Sequence, residues 1–158
     1  MTINQQKLDA LVARHIGDLA AGYGGVMVSI GNRLGLYRAM AGAGPLNSHE
    51  VARRSGCAER YVREWLNSQV AASYMDYHPA SKTYELTAEQ AFVLADETSP
   101  VFLPNAWHVV ASMWEDEPKA IQAFQSGKGV AWGEHSERLF CGVAAFYRNG
   151  YAASLVQE

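Results

Sequence analysis

Apolar residues recur at helical spacing along most of the chain, and the pattern breaks on glycine, proline or asparagine. From Asn4 to about Ala21, Leu8, Leu11, Val12, Ile16 and Leu19 fall three and four apart and predict an amphipathic helix. Gly22-Tyr23-Gly24-Gly25 reads as an interruption. A second apolar helix is predicted over residues 26–34, continuing or restarting near residues 36–40. Val26, Met27, Ile30, Leu34, Tyr37 and Met40 leave it little polar surface, so it needs cover from the core or from another subunit. Ala41-Gly42-Ala43-Gly44-Pro45 ends it.

Residues 46–86 carry the clearest pattern. Ser48 is placed to cap a helix whose apolar side is Val51 and Ala52, and Ser55-Gly56-Cys57 then turns the chain sharply. A longer helix is predicted over residues 59–72, with Val62, Leu66 and Val70 on one face. Two runs of β-formers, residues 74–77 and 83–86, flank the turn His78-Pro79-Ala80-Ser81-Lys82. Helix, turn, helix and hairpin in this order predict a winged helix.

Beyond it, Thr87-Ala88-Glu89-Gln90 fits a capping box for a short helix to Ala95 that should pack Phe92 and Leu94. A loop is expected over residues 96–100, then helices over 101–114 and 119–125, with Pro118 in a first turn after Glu115-Asp116-Glu117. Residues 126–133 read as a turned or flexible loop. Residues 134–146 are predicted helical, with Leu139, Phe140, Val143 and Phe146 on one side. Asn149-Gly150 reads as a stop before a last short helix over 151–158. The expected whole is a single mainly α (α+β) domain, a winged helix-turn-helix with a small β-hairpin wing and additional N- and C-terminal helices. Its parts are 1–45, 46–86 and 87–158.

Composition changes this picture in one respect. The 158 residues are 49% apolar, ample for a packed core, but the net charge is −3. Domains that grip DNA are usually basic, because phosphate contacts supply much of their affinity. Arg53, Arg54, Arg60 and Arg63 are offset by Glu50, Glu59 and Glu64, the hairpin offers only Lys82, and Tyr61 and Trp65 are expected on part of the face that would meet bases. DNA is therefore the disfavoured partner. Cys57 and Cys141 suit a reducing compartment, the first residues lack a signal-peptide pattern, and no run is long enough to cross a bilayer. A cytoplasmic protein is expected.

Candidate chemistry is sparse. Gly127-Lys128-Gly129 lacks the rest of a phosphate loop, and Gly22-Tyr23-Gly24-Gly25 sits between helices rather than after a strand. His15, His49, His78, His108 and His135 show no metal-ligand spacing, and Glu134-His135-Ser136-Glu137 suits a helix start. Neither cysteine has a neighbouring base. No catalytic or metal-binding residue is assigned. The late aromatics, Trp107, Trp114, Trp132, Phe140, Phe146, Tyr147 and Tyr151, suit a core, and Trp132, Phe140 and Tyr147 are candidates for lining a pocket for a small apolar or aromatic molecule.

Several blocks together resemble a known family. Asn32-Arg33-Leu34-Gly35-Leu36-Tyr37-Arg38-Ala39-Met40 with Gly44-Pro45-Leu46, and Glu59-Arg60-Tyr61-Val62-Arg63-Glu64-Trp65-Leu66, are similar to the N-terminal winged-helix domain of certain class I SAM-dependent methyltransferases. Residues 92–100, 129–135, 146–151 and 155–158 extend the likeness in the same order. Ser73 departs from it, since the family pattern implies glycine before the hairpin. The resemblance implies a dimerisation and substrate-capping domain followed by an S-adenosylmethionine-binding Rossmann-like domain. That second domain is expected to begin where this sequence stops, so the chain alone is expected to be inactive and to hold no cofactor. A homodimer is expected through Val26, Met27, Ile30, Leu34 and Tyr37 together with the winged helix. The alternative is a winged-helix DNA-binding transcriptional regulator with a small-molecule pocket.

Overall fold

Helix α4 (Glu59–Ala71) buries Val62, Trp65, Leu66 and Gln69 along one side, and the core is assembled against that side. The computed structural model describes residues 2–155. Around α4 stand α1 (Gln5–Arg33), α2 (Leu36–Met40), α3 (Ser48–Ser55) and α5 (Ala88–Leu94), with the hairpin β1 (Asp76–His78) and β2 (Thr83–Glu85). Helices α6 (Ala106–Ser126) and α7 (Glu137–Leu155) pack on each other; α6 lies against α1, and α7 is tied to the loop after α5 by Asn149. The fold is mainly helical with a winged helix-turn-helix at its centre.

Local chemistry explains the motif. Asn47, one residue before the expected Ser48, caps α3: its Oδ1 accepts from the Glu50 amide at 3.0 Å, and Glu50 Oε2 accepts from the Asn47 amide at 2.8 Å. Ser48 Oγ instead donates to Glu59 Oε1 at 2.6 Å, fastening α3 to α4. Gly56 closes α3 with φ 69°, where an L side chain would be strained. The wing pairs Asp76 with Glu85, Tyr77 with Tyr84 and His78 with Thr83, and Leu46 bridges Tyr84 from the other side. Thr87 and Gln90 complete the expected capping box of α5, which buries Leu94 but leaves Phe92 exposed.

Three predicted breaks are continuous helix. α1 runs through Gly22-Tyr23-Gly24-Gly25, α6 carries Pro118 inside it, and α7 continues through Asn149-Gly150. The predicted last helix over 151–158 is thus the end of α7, and residues 156–158 lie outside the described residues. α6 also begins later than predicted, after a loop that buries Phe102 and Pro104.

Packing overrides the sequence pattern at two aromatics. Trp65, expected on the surface, is 2% exposed and its Nε1 donates to the Met27 carbonyl at 2.9 Å. Its ring lies so close to α1 that a Cβ at Gly31 would come within 2.4 Å of it. Tyr37, grouped with the dimerisation residues, is 1% exposed. It meets Trp65 edge-on at 4.9 Å between centroids and donates to Gln69 Oε1 at 2.5 Å, while burial pushes its phenol up from the ordinary range. Tyr37 is a core residue, which corrects its placement on a dimer surface.

Candidate functional site

Trp107, in the first turn of α6, is the residue about which the concave surface is built. Its ring lies against α1 at Gly25, where a Cβ would come within 2.1 Å of it. A glycine there lets α1 and α6 approach closely, and the mismatch between helices leaves grooves on both sides. One, of about 590 Å³, lies between α1, α4 and α6 and is lined by Gly24, Met27, Ala71, Ala72, Tyr74 and Trp107. A second, of about 250 Å³, runs under Trp107 between Val28, Leu94, Leu103 and Pro104. The third, of about 230 Å³, follows Val26, Ile30 and Arg33 past Trp114 and Arg138. All three are mainly apolar, the character of sites that take small apolar molecules or partner side chains. His108, in the same turn of α6 as Trp107, is held below the ordinary histidine range by burial and then by the Arg138 and Arg33 guanidiniums, so it is neutral near pH 7.

Of the residues expected at a dimer surface, Val26, Ile30 and Leu34 are exposed and Met27 is partly buried beside the largest groove, whereas Tyr37 faces inward. The exposure does not stop at Val26. Leu8, Leu11, Val12, Ile16 and Leu19 are exposed as well, because the first half of α1 extends beyond the elements that cover its second half. On α6, Trp114, Ile121 and Phe124 are exposed too, Phe124 at 93%.

The expected aromatic wall is divided in two. Trp132, in a short 3-10 turn over Trp132–Glu134, meets Phe140 edge-on at 5.1 Å and His135 at 5.8 Å. Tyr147 belongs to a second group on α7, edge-on to Phe146 at 5.0 Å and stacked on Tyr151 at 5.7 Å. None of Trp132, Phe140 and Tyr147 lines the Trp107 grooves.

What fixes the Trp132 turn is a carboxylate that its sequence position did not mark. Asp116, on the face of α6 toward α7, accepts from Lys119 Nζ at 2.7 Å, from the Ser136 amide at 3.0 and 3.1 Å, and pairs with His135 Nδ1 at 3.0 Å. Lys119 also donates to the Glu134 carbonyl. These bonds, Lys119 first and the Ser136 amide next, hold the Asp116 carboxyl down at about 2. The acidic run before Pro118 suggests a helix start, and nothing in its spacing indicates a partner loop.

The outward face of α4 carries both signs of charge. Arg63 approaches Glu59 at 3.8 Å and Arg60 lies over the Tyr61 ring at 5.8 Å. In the wing, His78 pairs with Glu85 at 2.8 Å. Among the described residues, no three His, Cys, Asp or Glu side chains are grouped to hold a metal, and no helix is long and apolar enough to cross a membrane.

Residues 22–96 match the family model described as the Rv2258c-like winged HTH domain. No curated protein matches the chain. Among solved structures, the chain is similar to one described as PigF with SAH, at 15% identity and a TM-score of 0.64, covering 89% of this chain and 44% of that one. It is similar to the mitomycin 7-O-methyltransferase MmcR at 16% identity and a TM-score of 0.65, covering 94% and 47%. The S-adenosylmethionine-dependent methyltransferase SibL, in its apo form, matches at 16% identity and a TM-score of 0.60, covering 90% and 46%. The likeness is one of fold, and the chain spans under half the length of these proteins.

Proposed function

From a winged helix-turn-helix domain over residues 22–96, set in a fold shared with parts of methyltransferases, we propose that this chain is the dimerisation and substrate-capping part of an S-adenosylmethionine-dependent methyltransferase. The observation that carries the reading is the uncovered apolar face of α1. Val26, Ile30 and Leu34 are exposed on a helix whose opposite side is already committed to Trp65 and Trp107. A face of that size on a free monomer would be costly in water, and a second subunit is the cover this reading supplies.

Capping is the part assigned to the groove between α1, α4 and α6 at Trp107, whose apolar lining suits a small aromatic or aliphatic acceptor, with the Trp132–Phe140 pair as a separate apolar surface. The chemistry would belong elsewhere. S-Adenosylmethionine supplies an electrophilic methyl group when bound, and a class I site holds it at a glycine-rich turn between a buried strand and a helix. The described strands form only the wing hairpin, so this chain's contribution is to shape the acceptor's surroundings and exclude water.

Sedimentation velocity at micromolar concentration tests the reading. A dimer of the 158-residue chain is expected, and a monomer contradicts it. A parallel titration with S-adenosylmethionine should release no binding heat, and a clear isotherm would contradict the division of labour.

A further inference from the structure

The geometry points to a specific dimer: two α1 helices pair antiparallel over their whole length, about a twofold axis at residue 21. The inference rests on the dimerisation reading and adds a register, an orientation and the first half of α1 to it.

The exposed apolar positions on the side of α1 away from the core are Leu8, Val12, Ile16 and Leu19, then Tyr23, Val26 and Ile30, ending at the cap residue Leu34. Their side chains are 39–76% exposed. At about 100° per residue they fall within one stripe, opposite the side that buries Gly25 and Val28. The intervals along this stripe read the same in both directions. Reversing the helix about position 21 brings Leu8 onto Leu34, Val12 onto Ile30, Ile16 onto Val26 and Leu19 onto Tyr23. An antiparallel second copy therefore meets the stripe with its own stripe at every position, as an isologous interface requires. A parallel pair in register would set Tyr23 against Tyr23 and leave the uncovered first half against an equally uncovered one, far from the Trp107 body.

The antiparallel arrangement also uses the groove beside α1. Val26 and Ile30 border the cleft that continues past Trp114, and in this register they receive Ile16 and Val12 of the second copy. The first half of α1, uncovered by the described residues of its own chain, thus lies along the body of the other. α1 has 29 residues and is about 43 Å long at ~1.5 Å per residue. Half-exposed side chains along that length from two copies amount to roughly 1,300 Å² of buried surface, within the range of specific, stable interfaces.

Nitroxide labels read the register directly. In a chain carrying Cys57→Ala and Cys141→Ser, single labels are introduced by Lys7→Cys, Arg14→Cys and Ala21→Cys, none of which lies in the stripe. Two labels at 7 should stand about 42 Å apart along the helices, two at 14 about 21 Å, and two at 21 level with each other. Double electron–electron resonance, which combines this axial offset with the lateral spacing of the helices, should therefore show distances that fall in the order 7, 14, 21. Ile16→Asp should weaken association by at least about a hundredfold with helical circular dichroism unchanged, since the new carboxylate would be buried without a partner. A dimer whose three distances are equal, or do not fall toward 21, contradicts this pairing and leaves the dimerisation reading standing. An Ile16→Asp chain that associates normally also contradicts it. A parent chain that is monomeric contradicts both.

Discussion

The two halves of α1 follow the same amphipathic rule and meet opposite fates. In the second half, Val28 and Ser29 are buried, and Gly25 and Gly31 admit Trp107 and Trp65 to within van der Waals contact of the backbone. In the first half, every described residue from Gln5 to Gly22 is exposed. The difference lies in what stands beside the helix rather than in its own pattern: α4 and α6 cover one half, and none of the described residues covers the other. Apolar periodicity says that a face needs a partner; it does not say whether that partner is the same molecule.

The largest contrast should come from paired truncations. Trp65→Ala removes a fully buried aromatic and its hydrogen bond to Met27, and should cost about 3–5 kcal/mol in urea unfolding. Leu11→Ala, in the uncovered half, should change the stability of dilute, monomeric chain by less than about 0.5 kcal/mol. Comparable losses would erase the distinction. Next in size is Gly25→Leu, which forces Trp107 away from α1 and should cost about 1–3 kcal/mol while altering tryptophan emission.

A smaller effect is confined to acid. Asp116 titrates near 2 in the folded chain against 3.8 for an ordinary aspartate. Its contribution is complete above about pH 4 and is lost as the pH falls through that range toward 2. Thermal midpoints of the parent and of Asp116→Asn should therefore differ at pH 6 and converge toward pH 2; a constant gap would place the stabilisation elsewhere. The smallest effect should be a gain. Ser73 holds φ 60°, a left-handed conformation that costs an L residue roughly 1 kcal/mol, so Ser73→Gly should raise stability by about 1 kcal/mol at most.

Ser73 also shows which parts of the fold were legible beforehand. Family likeness marked it as a glycine position, and the backbone there is indeed left-handed. The Gly56 turn, the Thr87–Gln90 capping box and the hairpin were equally readable, since each is fixed by residues a few positions apart. What misled were breakers whose local cost is offset at long range. Gly22, Gly24 and Gly25 each cost a helix about 1 kcal/mol, yet Gly25 is what lets Trp107 pack. Asn149 does not stop α7, and its side-chain amide donates to the carbonyls of Glu97 at 2.7 Å and Ser99 at 2.9 Å. Trp65 and Tyr37 were misplaced because their mutual contact spans separate helices. The grooves were not legible at all, because Trp107 looks like any other late aromatic until α1 lies beside it. The Asp116 clasp likewise joins residues far apart in sequence.

Hydrogen exchange followed at several protein concentrations tests the central claim, that the first half of α1 is completed by another molecule. Amides of residues 8–19 should be protected at high concentration and should exchange far faster on dilution, while amides of α4 keep the same protection throughout. Protection of residues 8–19 that is strong and independent of concentration would contradict it.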